Sequence, residues 1–253
     1  MVGHLLLRGM LVGAIAGLLA FGFAKVFGEP QVDRAIAFEE QLAHTGHADH
    51  QRGGDADHAG HHHDHAEEEP VSRATQSGLG LFTGIVIYGA AIGGLFALVF
   101  AFVIGRVGAL GGRATAALLA LGGFIAIVLV PALKYPPNPP AVGSPDTIGL
   151  RTALFFTMLA LSLAAMVAAI VLARRLRARF CAWDAAIIAG AAFIAVIALV
   201  WLALPEINEV PQGFSAAVLW RFRVASLGIQ VVLWATIGLV FGALTERATR
   251  RKG

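Results

Sequence analysis

Long apolar runs alternate with short polar ones along this chain, and the runs exceed what a soluble core helix needs. They cover Leu5 to Phe27, Gly78 to Ile104, Ala114 to Leu133, Arg151 to Ala173, Ala182 to Leu204 and Val224 to Leu244. About 20 apolar residues at about 1.5 Å each cross a hydrocarbon core of about 30 Å. The pattern therefore predicts an all-α integral membrane protein with six transmembrane helices and one polytopic domain. The first run competes with a secretory signal peptide, whose apolar core is only about 7–15 residues long. Its length favours a retained span, and five spans would remain if it were cleaved. Gly9, Gly13 and Gly17 form a small-residue stripe on it, and Gly80, Gly84, Gly89 and Gly93 punctuate the second run. Such stripes let helices approach closely in lipid.

The polar segments divide into two kinds. Residues 28–77 form the longest, an extracytoplasmic and partly disordered loop rich in His and Asp. It opens GEPQVDRAIAFEEQ, where Val32, Ile36 and Ala35 suit one side of a short amphipathic helix after Pro30. The third run stops at LKYPPNPPAVGSPD and the fifth at LPEINEVPQGF, where prolines end the helices. By contrast, GRVGALGGR, RRLRARF and the tail TERATRRKG are short and basic, as anchors to anionic lipid are.

Charge then sets the orientation. With both termini in the cytoplasm, every basic link falls inside, as the positive-inside rule requires. Of the 16 acids, only Asp184 and Glu246 lie on that side. Trp201, Trp220 and Tyr135 then sit at the outer interface and Trp183 at the inner one. With 57% hydrophobic and 14% charged residues, the net charge of +3 reflects this separation and is not a nucleic-acid signal. Cys181 is the single cysteine, which excludes a disulfide framework and a thiolate cluster. No lysine stands in a Walker A loop, and no paired catalytic groups lie at membrane depth, so an enzyme is not expected.

The distinctive chemistry lies between His44 and His65. Eight of the 9 histidines fall there: His44, His47, His50, His58, His61, His62, His63 and His65, interleaved with Asp49, Asp55, Asp57 and Asp64. Imidazole and carboxylate are ligands for Co²⁺, Ni²⁺ and Zn²⁺. A chain so polar and glycine-rich buries no core, so disorder without metal is expected, and with it many loose binding modes. The plainer reading is a solvated loop of biased composition. A fixed site would need rigid links, and the proline-rich outer links offer one. Glu29, Asp33, Asn138, Asp146, Glu206, Asn208 and Glu209 are its candidate ligands, with Arg151 or Arg221 positioning a carboxylate. Glu206, Asn208 and Glu209 follow one another too closely for one helical face, so an irregular turn after Pro205 is required. Arginines that merely balance acids at a membrane surface are the competing account. Inside the spans only neutral groups appear, among them Thr83, Tyr88, Thr157, Ser162, Ser226 and Gln230, with Met158 and Met166 as thioethers. Such groups more often join helices than bind ions.

GEPQVDRAIAFEEQ after a glycine-rich first span, the His/Asp loop, LKYPPNPPAVGSPDTIGLRT and LPEINEVPQGFSAAVLWRFR together resemble the predicted cobalt transporter subunit CbtA family of bacteria. The likeness runs over nearly the whole chain. It implies a multi-pass inner-membrane subunit of a Co²⁺ uptake permease, linked to cobalamin synthesis. It also implies a small single-span partner of the CbtB type with its own histidines. No permanently bound cofactor is expected, only the transported metal. Nickel or zinc transport, and a non-transporting sensing or scaffold subunit, remain the rival readings, because ligand type alone does not separate these metals.

Overall fold

The computed structural model describes residues 2–51, 72–106 and 110–250, and among these it is helical without strands. Six rods are long and apolar enough to cross a membrane. The first joins α1 (Val2–Phe23), a π-helical turn (Ala24–Gly28) and α2 (Glu29–Gln51). The second joins α3 (Arg73–Thr75), a π turn (Gln76–Gly80) and α4 (Leu81–Val103). The third joins α5 (Gly112–Gly123), a π segment (Phe124–Leu129) and α6 (Val130–Lys134). A 3₁₀ turn (Pro145–Thr147) leads into α7 (Ile148–Leu176); α8 (Ala182–Ala203) and α9 (Ala216–Arg250) complete the set.

The expected separate helix after Pro30 is instead continuous with the first span. A mid-helix proline clashes with the carbonyl four residues back and lacks an N–H. The π turn just ahead of Pro30 widens the helix, and Glu29 N–H reaches back five residues to Ala24 O. The third span uses the same device before Pro131, where Val130 N–H reaches Ile125 O. The first rod is thus about 75 Å long against about 30 Å of hydrocarbon. It carries the start of the histidine tract, His44, His47 and His50, on helix rather than on the disordered chain expected there.

Backbone contact between α1 and α4 organises the bundle. A methyl group on Gly17 would come within 2.8 Å of Ile85 O, and methyls on Gly9 and Gly13 would overlap Gly93 O and Gly89 O. The stripe on the first span therefore meets Gly89 and Gly93 of the second, antiparallel, while Gly80 and Gly84 take no part in this contact. An adjacent face of α1 packs on α9, which also packs on α5. Val12, Ala16, Phe96, Phe100, Leu233, Ile237 and Phe241 form the shared core, with the Phe241 ring edge-on to Phe96 and Phe100 at 5.4 and 5.1 Å. On α9, Gly238 and Gly242 admit Ala120 and Ala116, and Trp234 lies over Gly123.

The fourth and fifth spans stand outside this core. Only 17% and 11% of their apolar windows are buried, against 33% for the first, second and sixth. They pack on each other, and α7 also leans on α6 and the π segment of the third span. The proline-rich links lie at one end of the bundle, here called the proline face. The arginine-rich links and both described chain ends lie at the other, where Gly112 meets Thr245 and Arg113 Nε stands 3.2 Å from Glu246 Oε2.

Gly13→Leu should therefore lower the stability of the detergent-purified protein by about 2–3 kcal/mol, the upper range for overpacking, because backbone rather than a side chain must move. Gly22→Leu, which meets open space, is the control and should leave the melting temperature nearly unchanged.

Candidate functional site

Two clusters occupy the proline face. The first ties the two ends of the long polar link together. Arg73 Nη2 donates to Glu29 Oε2 at 2.7 Å and to Asp33 Oδ1 at 2.9 Å, while its Nε donates to Asp33 Oδ1 at 3.3 Å. Glu29 and Asp33 stand four apart on α2, so they share a helix face and one guanidinium can serve both. One turn nearer the membrane, Lys25 Nζ donates to Ser77 O at 3.0 Å. Arg73 and Lys25 were not among the residues singled out by sequence. The available signal was Arg73's place as the one basic residue between the acidic run Glu67–Glu69 and the second span.

The second cluster knits the third link to the fifth. Residues 205–211 are irregular after Pro205, as expected there. Glu209 Oε2 accepts from Ser144 N at 2.7 Å and from Thr147 Oγ1 at 2.9 Å, with Arg151 Nε at 3.5 Å. Arg151 Nη2 also donates to Ser144 O at 3.0 Å. Gly143, at φ +119°, lets the chain pass against this guanidinium, since a methyl there would lie 2.8 Å from Nη2. Ala141, at φ +65°, turns Val142 inward onto Ala35 and Phe214, and Phe38 of α2 stacks edge-on against Phe214 at 5.1 Å. Tyr135 Oη donates to Pro205 O at 2.8 Å. α2 and both links thus form one rigid cap.

Within this cap the candidate oxygens sort into held and free. Glu29, Asp33, Glu209 and Asn138 are held; Arg223 Nη2 donates to Asn138 Oδ1 at 2.9 Å. Arg221, offered as a positioning residue, is exposed, and Arg223 two residues on makes the contact instead. Arg151 does lie beside a carboxylate, that of Glu209. Glu206, Asn208 and Asp146 are exposed. Glu206 is 86% exposed, with the mostly buried Lys134 Nζ 3.8 Å away, and Lys134 also lies 5.4 Å from the Trp201 ring centre. An ion pair so exposed holds its carboxylate weakly. Among the described residues, no three His, Cys, Asp or Glu side chains gather closely enough to hold one metal ion. His44 is exposed on α2, His47 and His50 lie further along that helix, and His58, His61, His62, His63 and His65 lie outside the described residues.

The family model for the probable cobalt transporter subunit CbtA matches residues 2–246. The chain belongs to the CbtA family. No curated protein and no solved structure matches it. The match takes in both cap links and all six spans, so the CbtA framework includes the cap as well as the bundle.

In this CbtA chain the carboxyl of Glu209 is held below its ordinary value of 4.5. The Thr147 hydroxyl contributes most, then the Ser144 amide; burial opposes them less strongly, and Arg151 adds the smallest lowering effect. A lowered carboxyl supports the cap above its unfolded value and loses that support only as pH falls through the lower, folded value. Amide protection at Ser144, corrected for intrinsic exchange, should stay constant from pH 7 to 5 and fall only below 4.5. Loss already at pH 5 to 6 would refute this.

Proposed function

We propose that the chain is the membrane-spanning subunit of a cobalt uptake permease, taking Co²⁺ at the proline face and releasing it at the arginine face. The observation that carries this reading is the match to a cobalt transporter subunit family over residues 2–246 of a six-span chain. The positive-inside rule supports the direction: among the described residues, Arg8, Arg106, Arg113, Arg174, Arg175, Arg177, Arg179, Arg247 and Arg250 belong to the arginine face and would face the cytoplasm. A single-span partner of the CbtB type completes the permease in this reading, since the family name is that of a subunit. Bacterial cells expressing the chain with that partner should accumulate radiolabelled cobalt, and cells with the partner alone should not. Reporters fused after Arg113, Pro140, Arg179 and Pro211 should read inside, outside, inside and outside. The opposite alternation would reverse the direction of transport.

The histidine tract in this reading concentrates metal and does not form the path. Its ligands are many and alike, and imidazole binds metal only when neutral, with an ordinary pKa near about 6.5. Deleting residues 43–66 should raise the half-saturating cobalt concentration and leave maximal uptake largely intact. That cut spares Arg73, Glu29 and Asp33, so the clamp at the base of the loop survives. Abolished uptake at saturating cobalt, with normal protein in the membrane, would place the tract in the path.

Metal entering the cap meets the exposed oxygens first, and among them Glu206 carries a charge that the cap holds only weakly, through Lys134 at 3.8 Å. A hydrated dication sheds water only where fixed oxygens replace it, and the acids at 206 and 209 stand on the same rigid link. Glu206→Gln keeps the bonds of Glu209 and removes one negative charge. It should cut maximal uptake at least tenfold, about 1.4 kcal/mol in barrier height. Uptake at the wild-type rate would reduce Glu206 to balancing Lys134.

A further inference from the structure

At mid-membrane depth the structure buries polar atoms that no neighbour satisfies. Hydroxyls in membrane helices usually return to the carbonyl four residues back, and Thr157, Ser226 and Thr245 do so, to Ala153 O, Phe222 O and Phe241 O at 2.8 to 2.9 Å. Ser162 does not. It is 0% exposed, and its Oγ has no hydrogen-bond partner. It shares the buried stripe of α7 with Met158, also 0% exposed. Gln230 Oε1 and Trp234 Nε1 on α9 are likewise buried and unpartnered.

These groups ride on the two helices that pack against the π segment of the third span, α7 and α9. The antiparallel register fixes the second contact. Trp234 covers Gly123, and Gly238 one turn on meets Ala120. One turn in the other direction, Gln230 falls level with Ala126, which is 0% exposed. Here the backbone supplies a further oxygen. Val130 N–H serves Ile125 O, and the next residue, Pro131, has no N–H to offer Ala126 O. An unsatisfied acceptor in the bilayer core costs several kcal/mol unless it lines a passage for water or ions.

We propose that the transported dication crosses the centre of the membrane along this neutral seam, with Ser162 Oγ, Gln230 Oε1 and Ala126 O as its oxygen ligands. Met158 adds a thioether beside Ser162. The indole N–H of Trp234, a donor, serves the water that travels with the ion and not the ion itself. Neutral dipoles of this kind hold a cation briefly, and a passage requires binding weak enough to release. The proposal rests on the transport reading above, and its test separates the two.

In a Cys181→Ser background, Ser162→Cys should react with a small, positively charged methanethiosulfonate reagent, which modifies thiols in contact with water. Cobalt should slow that reaction several-fold. Ile194→Cys, on the 68% exposed lipid side of the fifth span, is the control and should stay unreactive. Ser162→Ala and Gln230→Leu should each lower maximal cobalt uptake several-fold, with membrane levels and the half-saturating concentration unchanged. If the wild-type permease imports cobalt but Ser162→Cys is inert or unprotected, the seam is not the path and the transport reading stands. If the wild-type permease imports no cobalt, both fall together.

Discussion

Backbone contact between the first two spans is the constraint on which the rest depends. Lipid tails are as apolar as leucine, so burying leucine between helices gains little over leaving it in the bilayer. Association must come from short-range dispersion, and that requires the helices to touch. Gly9, Gly13 and Gly17 against Gly89 and Gly93 bring the two backbones themselves into contact. The consequence at the proline face is direct. With α1 and α4 fixed, Lys25 reaches Ser77, and Arg73 reaches Glu29 and Asp33, so the base of the long polar link is closed. A neighbouring face of α1 can then meet α9, where Phe23 fills the space that Gly228 leaves.

Prolines would ordinarily interrupt such rods, and two of the π segments show how this chain carries them. Each adds a residue to one helical turn just ahead of Pro30 or Pro131, which moves the obstructing carbonyl aside. For the first span this carries the helix beyond the bilayer and onto the cap, where Ala35 and Phe38 dock on Val142 and Phe214. For the third it leaves an irregular turn at membrane depth, a place where irregular backbone persists only beside protein or a cavity.

The spans were legible in the sequence because a bilayer sets one length and one composition, and each run met both. The glycine stripes were legible for a related reason: a repeat of four marks a helix face whatever that face later meets. The continuous first rod was not. Pro30 reads as a helix start, and nothing in the local sequence announces a widened turn ahead of it. Nor was the sorting of the cap oxygens. Glu206 and Glu209 look alike three residues apart, yet one lies exposed and the other is bound by Ser144 and Thr147, more than sixty residues away. Arg221 and Arg223 present the same problem: they stand two residues apart near the start of α9, and only the longer-range fold selects Arg223 for Asn138.

The distribution of charge argues for a division of tasks between the two levels of the molecule. At the proline face three carboxylates are already balanced: Arg73 holds two, and Glu209 takes its bonds from an amide, a hydroxyl and an arginine. A carboxylate so engaged fixes chain geometry and presents less charge to an arriving ion. The cap is therefore better built as a frame than as a trap, and the exposed oxygens of Asp146, Glu206 and Asn208 are what it offers to solvent. Below it no described side chain at mid-depth carries a charge. An acid there would bind a dication far more strongly than neutral dipoles and, in low dielectric, release it slowly. Ser162, Gln230 and the backbone beside Pro131 provide oxygen without that penalty. Among the described residues, the same neutrality leaves no carboxylate or histidine at mid-depth to carry a proton.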